Sequence, residues 1–271
     1  MKIARTFSRA LAASFRLLAG ALLLAALPAQ AGDYVAIPAG AFVSVLAGGG
    51  SSNNNDPVPV APFAMRTTPV TYREFLAFAD SHPQWQRGKT PVIFADASYL
   101  HQLDGQSLPP AGLERAVTSI SWFAAQAFCE SEGSRLPTWY EWEYVAAADS
   151  KQADARRDPA WRAKILSWYS QSSSTPQPAV GGAANFFGVR DMHGLVWEWV
   201  DDFNALLVSA DSRNQGDPDQ LKYCGAGAIS LQDKENYAIL MRVALLSSLG
   251  GADTTNNLGF RCAKTLPTEK K

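Results

Sequence analysis

Apolar residues recur at helical spacing in three well-punctuated stretches of the chain. Over residues 71–79, Tyr72, Phe75, Leu76 and Ala79 share a face. Thr71 stands as the N-cap and Glu74 three residues on, the spacing of a capping box. A second helix is predicted over 122–132, capped by Ser121 and stopped by Gly133. A third follows Leu136-Pro137-Thr138, with Thr138 as cap, Glu141 at the capping-box position, and Trp142, Tyr144, Val145 and Ala148 as apolar residues. Residues 156–169 form a further short helical pattern.

Strand-like patterns are shorter. Residues 34–45 read as a strand with a turn at Pro38 and Gly40, and 62–65 as a second. Between them, 48–55 (GGGSSNNN) is a polar, low-complexity loop. Residues 82–115 have no sustained period and read as a long ordered loop, and 170–178 as a polar connection. Aromatic and β-branched residues alternate with turn formers over 188–199, and 221–263 mixes short strand-like runs with Gly-rich turns. Helices early, irregular β structure late and no internal repeat argue for an α+β domain of low regularity.

The N-terminus changes the picture. Lys2, Arg5, Arg9 and Arg16 precede an apolar run over 17–27 and the small-residue site Ala29-Gln30-Ala31, with no acidic residue before Asp33. That order predicts a cleavable signal peptide over 1–31, with an apolar run too short to span a bilayer. Residues 32–271 then form a single domain. Cleavage removes four basic residues and shifts the net charge from −1 to −5. A mildly acidic surface gives no electrostatic reason to bind nucleic acid or anionic lipid. The 8 Trp, 13 Phe and 8 Tyr are ample for a rigid core.

Most common chemistries lack their residues. His82, His101 and His193 have no spacing that places two imidazoles on one helix face; they are expected to be surface or locally bonded. There is no G-x-S-x-G elbow and no glycine loop ending in Lys-Ser/Thr. Glu141 and Glu143 flank Trp142, so on a helix they point apart and serve capping and core-edge hydrogen bonds. Glu198 lies between Trp197 and Trp199. A carboxylate there is partly buried and demands a partner, either an arginine or a calcium ion with backbone carbonyls of His193, Gly194 and Val196. Cys129, Cys224 and Cys262 are an odd set for an oxidising compartment, allowing three choices of one disulfide and a leftover thiol.

Several segments in order resemble the formylglycine-generating enzyme (sulfatase-modifying factor) family. They are Val117-Thr118-Ser119-Ile120-Ser121-Trp122, Phe128-Cys129, Arg135-Leu136-Pro137-Thr138, Glu141-Trp142-Glu143-Tyr144, Asp191-Met192-His193-Gly194, Val196-Trp197-Glu198-Trp199 and Asn257-Leu258-Gly259-Phe260-Arg261-Cys262. The resemblance implies a C-type-lectin-like α+β fold with little regular structure. It implies a Cys129–Cys262 disulfide, closing a loop of over 130 residues and worth about 4–5 kcal/mol in the chain-entropy model. Cys224 is left over.

Activity carries over less completely. Where the family's aerobic enzymes bind Cu(I) with two cysteines, alignment back from Arg261-Cys262 places Asp233 and Ala238, neither of which replaces a thiolate. The family's Gly-Gly-Ser segment reads Cys224-Gly225-Ala226-Gly227-Ala228, and Leu195 replaces an asparagine. Copper is therefore not expected at that site; a structural calcium at Glu198 stays an alternative to an arginine partner, and the Leu195 replacement weighs against it. The chain resembles a divergent periplasmic branch that includes pyoverdine-maturation and nitrite-reductase accessory members. The resemblance implies a monomeric periplasmic oxidoreductase or maturation factor for a peptide, siderophore precursor or metalloenzyme. Glu198, Arg242 and Cys224 are the catalytic candidates, Arg261 is a further polar candidate, and Trp197 would be a cleft wall. The alternatives are a non-catalytic assembly factor, with Cys224 handling copper, and formylglycine generation itself.

Overall fold

The computed structural model describes residues 33–44, 46, 57–105, 108–169, 177–206 and 237–267. The loop over 48–55, Cys224, Asp233 and the signal-peptide residues lie outside these.

The β structure is built from short strands. β1 (Tyr34–Ile37) and β7 (Ala263–Thr265) flank β4 (Phe63–Arg66), both antiparallel, so the two ends of the described chain share one central strand. All four residues of β4 are buried. β2 (Gly40–Phe42) pairs with β3 (Val58–Val60), and β5 (Trp197–Glu198) runs parallel to β6 (Leu258–Gly259). The strand expected over 34–45 is thus two strands in different sheets, separated at Pro38, which supplies no N–H to a ladder.

The helices begin where their caps dictate. In α1 (Tyr72–Ser81), Glu74 N–H donates to Thr71 Oγ1 at 3.3 Å and Thr71 N–H to Glu74 Oε2 at 2.8 Å. α2 (Pro110–Leu113) is a single turn inside the long 82–115 connection, which also carries two 3₁₀ turns. Ser121 caps α3 (Trp122–Ser131), and Gly133 follows it at φ +64°, a conformation that L side chains rarely adopt. Thr138 and Glu141 close a second capping box on α4 (Trp139–Ala146). α5 spans Pro159–Tyr169.

One expectation fails. Residues 237–247, read as part of a strand-like third, form helix α6 (Tyr237–Ser247). Its sequence, YAILMRVALLS, is apolar nearly all round, so it shows neither helical nor alternating periodicity, and burial decides its conformation.

The core joins all of these elements. Phe75, Phe128 and Phe260 pack between α1, α3 and the segment after β6, and Trp139, Trp142 and Trp199 are fully buried. Cys129 in α3 is bonded to Cys262 beside β7, with both residues 0% exposed. Among the described residues, no helix is long and apolar enough to cross a membrane.

Candidate functional site

β5 delivers the central carboxylate. Successive residues of a strand face opposite ways, so Trp197 is half-buried and meets Trp168 at 5.8 Å, while Glu198 turns into the core. Register with β6 sets Gly259 opposite it, and Arg261 lies two residues further along the chain. Arg261 Nη2 donates to Glu198 Oε1 at 2.8 Å, and its Nε to Oε2 at 2.9 Å. Trp142 Nε1 donates to Oε2 at 2.8 Å. Both charged residues are 0% exposed.

The remaining guanidinium hydrogens tie down neighbouring backbone. Arg261 Nη2 also donates to the carbonyls of Arg190 and Asp191, at 3.0 and 3.2 Å. Asp191 sits at φ +57° and accepts the amide hydrogens of Gly181 and Gly182. Arg242, from α6, donates to the Glu198 carbonyl and lies over the Trp142 ring, 3.5 Å from its centroid. This cation–π contact is desolvated and therefore stronger than a surface one.

A second buried carboxylate, Glu143, is bonded to the neighbouring tryptophan, Trp139. Glu143 Oε2 accepts from Trp139 Nε1 at 2.8 Å and from Ser44 Oγ at 2.5 Å, and its Oε1 lies 3.6 Å from Arg156. Glu141 instead caps α4 and pairs with Arg135 at 2.6 Å. The two acids point apart, as their spacing requires.

His193 departs from expectation. His82 and His101 bond locally, to Phe78 and Ser98 carbonyls. His193 is wedged edge-on between Trp142 and Trp161 and donates from Nε2 to the distant Ala146 carbonyl at 2.9 Å. Burial pulls its pKa down to about 4, with Arg242 and Arg261 adding to the depression and the Ala146 bond and Glu198 opposing it. Its Nδ1 is buried with no hydrogen-bond partner. His193 also lines a cavity of about 390 Å³ with Asp149, Asp158, Trp161, Lys164 and Asp191.

The structure brings Glu198, Arg242 and Arg261 together and seals them from solvent. Trp197 faces away from them, and Cys224 lies outside the described residues. Trp142, the third donor to Glu198, and the cavity residues Asp149, Asp158, Trp161 and Lys164 were not expected from the sequence as site residues; only the helical period of α4 could have placed Trp142 inward. A calcium ion does not fit the Glu198 carboxylate in this arrangement, because three N–H donors already occupy its oxygens and a cation balances its charge. Among the described residues, no group of three or more His, Cys, Asp or Glu side chains could hold a metal.

The sulfatase-modifying factor enzyme 1-like domain matches residues 22–266. The chain belongs to this family. Its relatives there differ in what their names report. Hercynine oxygenase of Mycolicibacterium smegmatis is 29% identical over 67% of this chain and 48% of its own length. The formylglycine-generating enzyme of Bos taurus is 27% identical over 68% of this chain and 50% of its own. The inactive Cα-formylglycine-generating enzyme 2 of Mus musculus is 26% identical over 79% of both chains. The chain thus spans about half the length of the first two relatives. Family membership accounts for the mixed helix-and-strand architecture with its short strands.

Proposed function

We propose that this protein is a periplasmic oxidoreductase-type maturation factor of the sulfatase-modifying factor family. It acts on a peptide or peptide-like precursor without a copper–thiolate centre. The observation that carries the reading is the family membership itself, within which hercynine oxygenase is an oxygenase by name. The two positions aligned with the family's copper thiolates hold Asp233 and Ala238, so a Cu(I) site of that kind is not part of the proposal. Export is supported by the N-terminal pattern and by the buried disulfide, a bond that persists outside a reducing cytosol.

The test is oxygen consumption by the purified protein with candidate precursor peptides and siderophore precursors, followed by mass analysis of the products. Oxygen uptake coupled to a product lighter by two hydrogens, with the O2 reduced to hydrogen peroxide, and unaffected by a Cu(I) chelator, is the expected result. Uptake that vanishes with the chelator, or formylglycine formed on a sulfatase peptide, overturns it.

A specific observation favours a second reading, a non-catalytic binding or assembly factor. Glu198 and Arg242 are both shut inside the core, where no substrate atom reaches them, and a family relative carries the name inactive. Tight binding of a precursor without turnover would decide for this reading.

A further inference from the structure

We propose that the turn Pro91–Phe94 is a peripheral membrane anchor, its apolar tip inserting into the headgroup layer of a lipid bilayer. This goes beyond the proposed function and holds whether or not the protein oxidises anything.

The four residues are consecutive, apolar and exposed, with Val92 at 82%, Ile93 at 69% and Phe94 at 38%. Exposed apolar side chains occur singly on most surfaces, whereas a run of four is a feature that function has to justify. The turn is built to stay exposed. Phe94 and Ala95 N–H both donate to the Pro91 carbonyl, at 2.9 and 3.2 Å. Asp96 then fastens the turn to the body: its N–H donates to the Ala252 carbonyl at 2.9 Å, and its carboxylate accepts from Thr254 N–H at 3.0 Å and Thr254 Oγ1 at 2.7 Å. Beneath the tip, the Phe94 ring meets the half-buried Trp85 and Phe123 edge-on, at 6.2 and 5.4 Å.

Shape and flanking charge say what covers the tip. A stable protein interface takes about 20–30 residues a side, and the tip with its two supporting rings is far smaller. A bilayer interface is fluid and needs no matching concavity. Apolar tip, then aromatic rings, then a cation is the order of groups that membrane–water interfaces select. The cation is Lys89, which is exposed and donates from Nζ to the neutral Gln86 side chain at 2.6 Å, with no carboxylate partner among the described residues. Its long stem complements a lipid phosphate beside the inserted tip. The other charges nearby are spoken for: Arg87 pairs with Asp104 at 2.8 Å, and the Asp96 and Asp253 carboxylates hold amide hydrogens. The acidic surface as a whole gives no long-range attraction, so apolar insertion drives a weak, reversible attachment and Lys89 adds to it.

The experiment is co-sedimentation of the purified protein, at physiological salt, with vesicles of phosphatidylcholine alone and of phosphatidylcholine mixed with phosphatidylglycerol. The protein binds both, about five-fold more tightly where the anionic lipid is present, and Lys89→Gln removes that difference. Ile93→Ser weakens binding to both about ten-fold. Phe186→Ser, which removes an isolated apolar side chain 54% exposed, leaves binding unchanged. All three substitutions fall at exposed positions and leave the melting transition in place. All three variants share the wild-type N-terminus, so any lipid affinity of the apolar run over 17–27 is common to them. No binding to either vesicle, Ile93→Ser binding as tightly as wild type, or an equal loss in Phe186→Ser overturns the proposal. So does a lipid-free dimer that Ile93→Ser abolishes, which would seat the tip on a second copy of the chain. Oxygen uptake in the assay of the preceding section is scored separately, so either idea can fail alone.

Discussion

Arg261 meets Glu198 in a two-point ion pair sealed from solvent, at 2.8 and 2.9 Å, with Trp142 adding a third donor to the same carboxylate. The pair joins β5 to the segment after β6, and Arg261 further holds the Arg190 and Asp191 carbonyls. Removing one partner strands a buried charge. Glu198→Ala is therefore expected to lower unfolding free energy by about 3–5 kcal/mol in urea denaturation. Replacing both residues together should cost clearly less than the sum of the single changes. Additivity would show that the two side chains do not act as a unit.

The Cys129–Cys262 bond closes a loop with a sequence separation of 133 residues. In the chain-entropy model a loop of this length stabilises by about 5 kcal/mol, because the cross-link removes freedom chiefly from the unfolded chain. Cys129→Ala is expected to lower the urea midpoint accordingly. Thiol titration of the unreduced, denatured wild-type protein should find one free thiol, and three after reduction. Three before reduction would mean the bond does not form.

Gly259 in β6 lies where the backbone of Val117 crosses it. A Cβ added there would stand 2.4 Å from the Val117 carbonyl oxygen. Backbone cannot swing aside as a side-chain tip can. Gly259→Ala is expected to destabilise at or above the upper end of the roughly 1–3 kcal/mol typical of overpacking. Gly133→Ala supplies the contrast, with open space around its Cβ and only the φ of +64° to oppose it. It should cost clearly less in the same denaturation series, and a larger loss for Gly133→Ala would contradict the steric argument.

What could be read from the sequence was whatever is encoded locally. Thr71 with Glu74, Ser121, and Thr138 with Glu141 start helices at the residues their spacing marks, because a cap's hydrogen bonds reach only three positions. The pairing of Cys129 with Cys262 was legible through resemblance alone; three cysteines by themselves leave the choice open. α6 was missed because a segment apolar on all sides carries no period. The Glu198 environment was half legible: flanking tryptophans announce a buried carboxylate, yet nothing local says whether a metal or an arginine answers it. The cavity was invisible for a plainer reason. Asp149, Asp158, Trp161 and His193 come from separate segments and converge only when α5 packs beside the 183–193 chain.

His193 makes stability depend on pH in a stated direction. Its folded pKa is about 4 against an ordinary value of 6.5, chiefly because burial disfavours the imidazolium. Above pH 6.5 the ring is neutral in both folded and unfolded chains, and its titration contributes nothing. As the pH falls below 6.5 the unfolded chain takes up a proton that the folded chain refuses, so stability declines. The decline ends near pH 4, where the folded protein protonates too, and amounts to roughly 3 kcal/mol across the window. His193→Gln keeps a side-chain N–H for the Ala146 carbonyl but cannot titrate. Urea unfolding of both proteins at intervals from pH 7 to 4 should show the wild-type curve falling more steeply, by that amount in total. Parallel curves would mean that the buried ring is not the group that titrates.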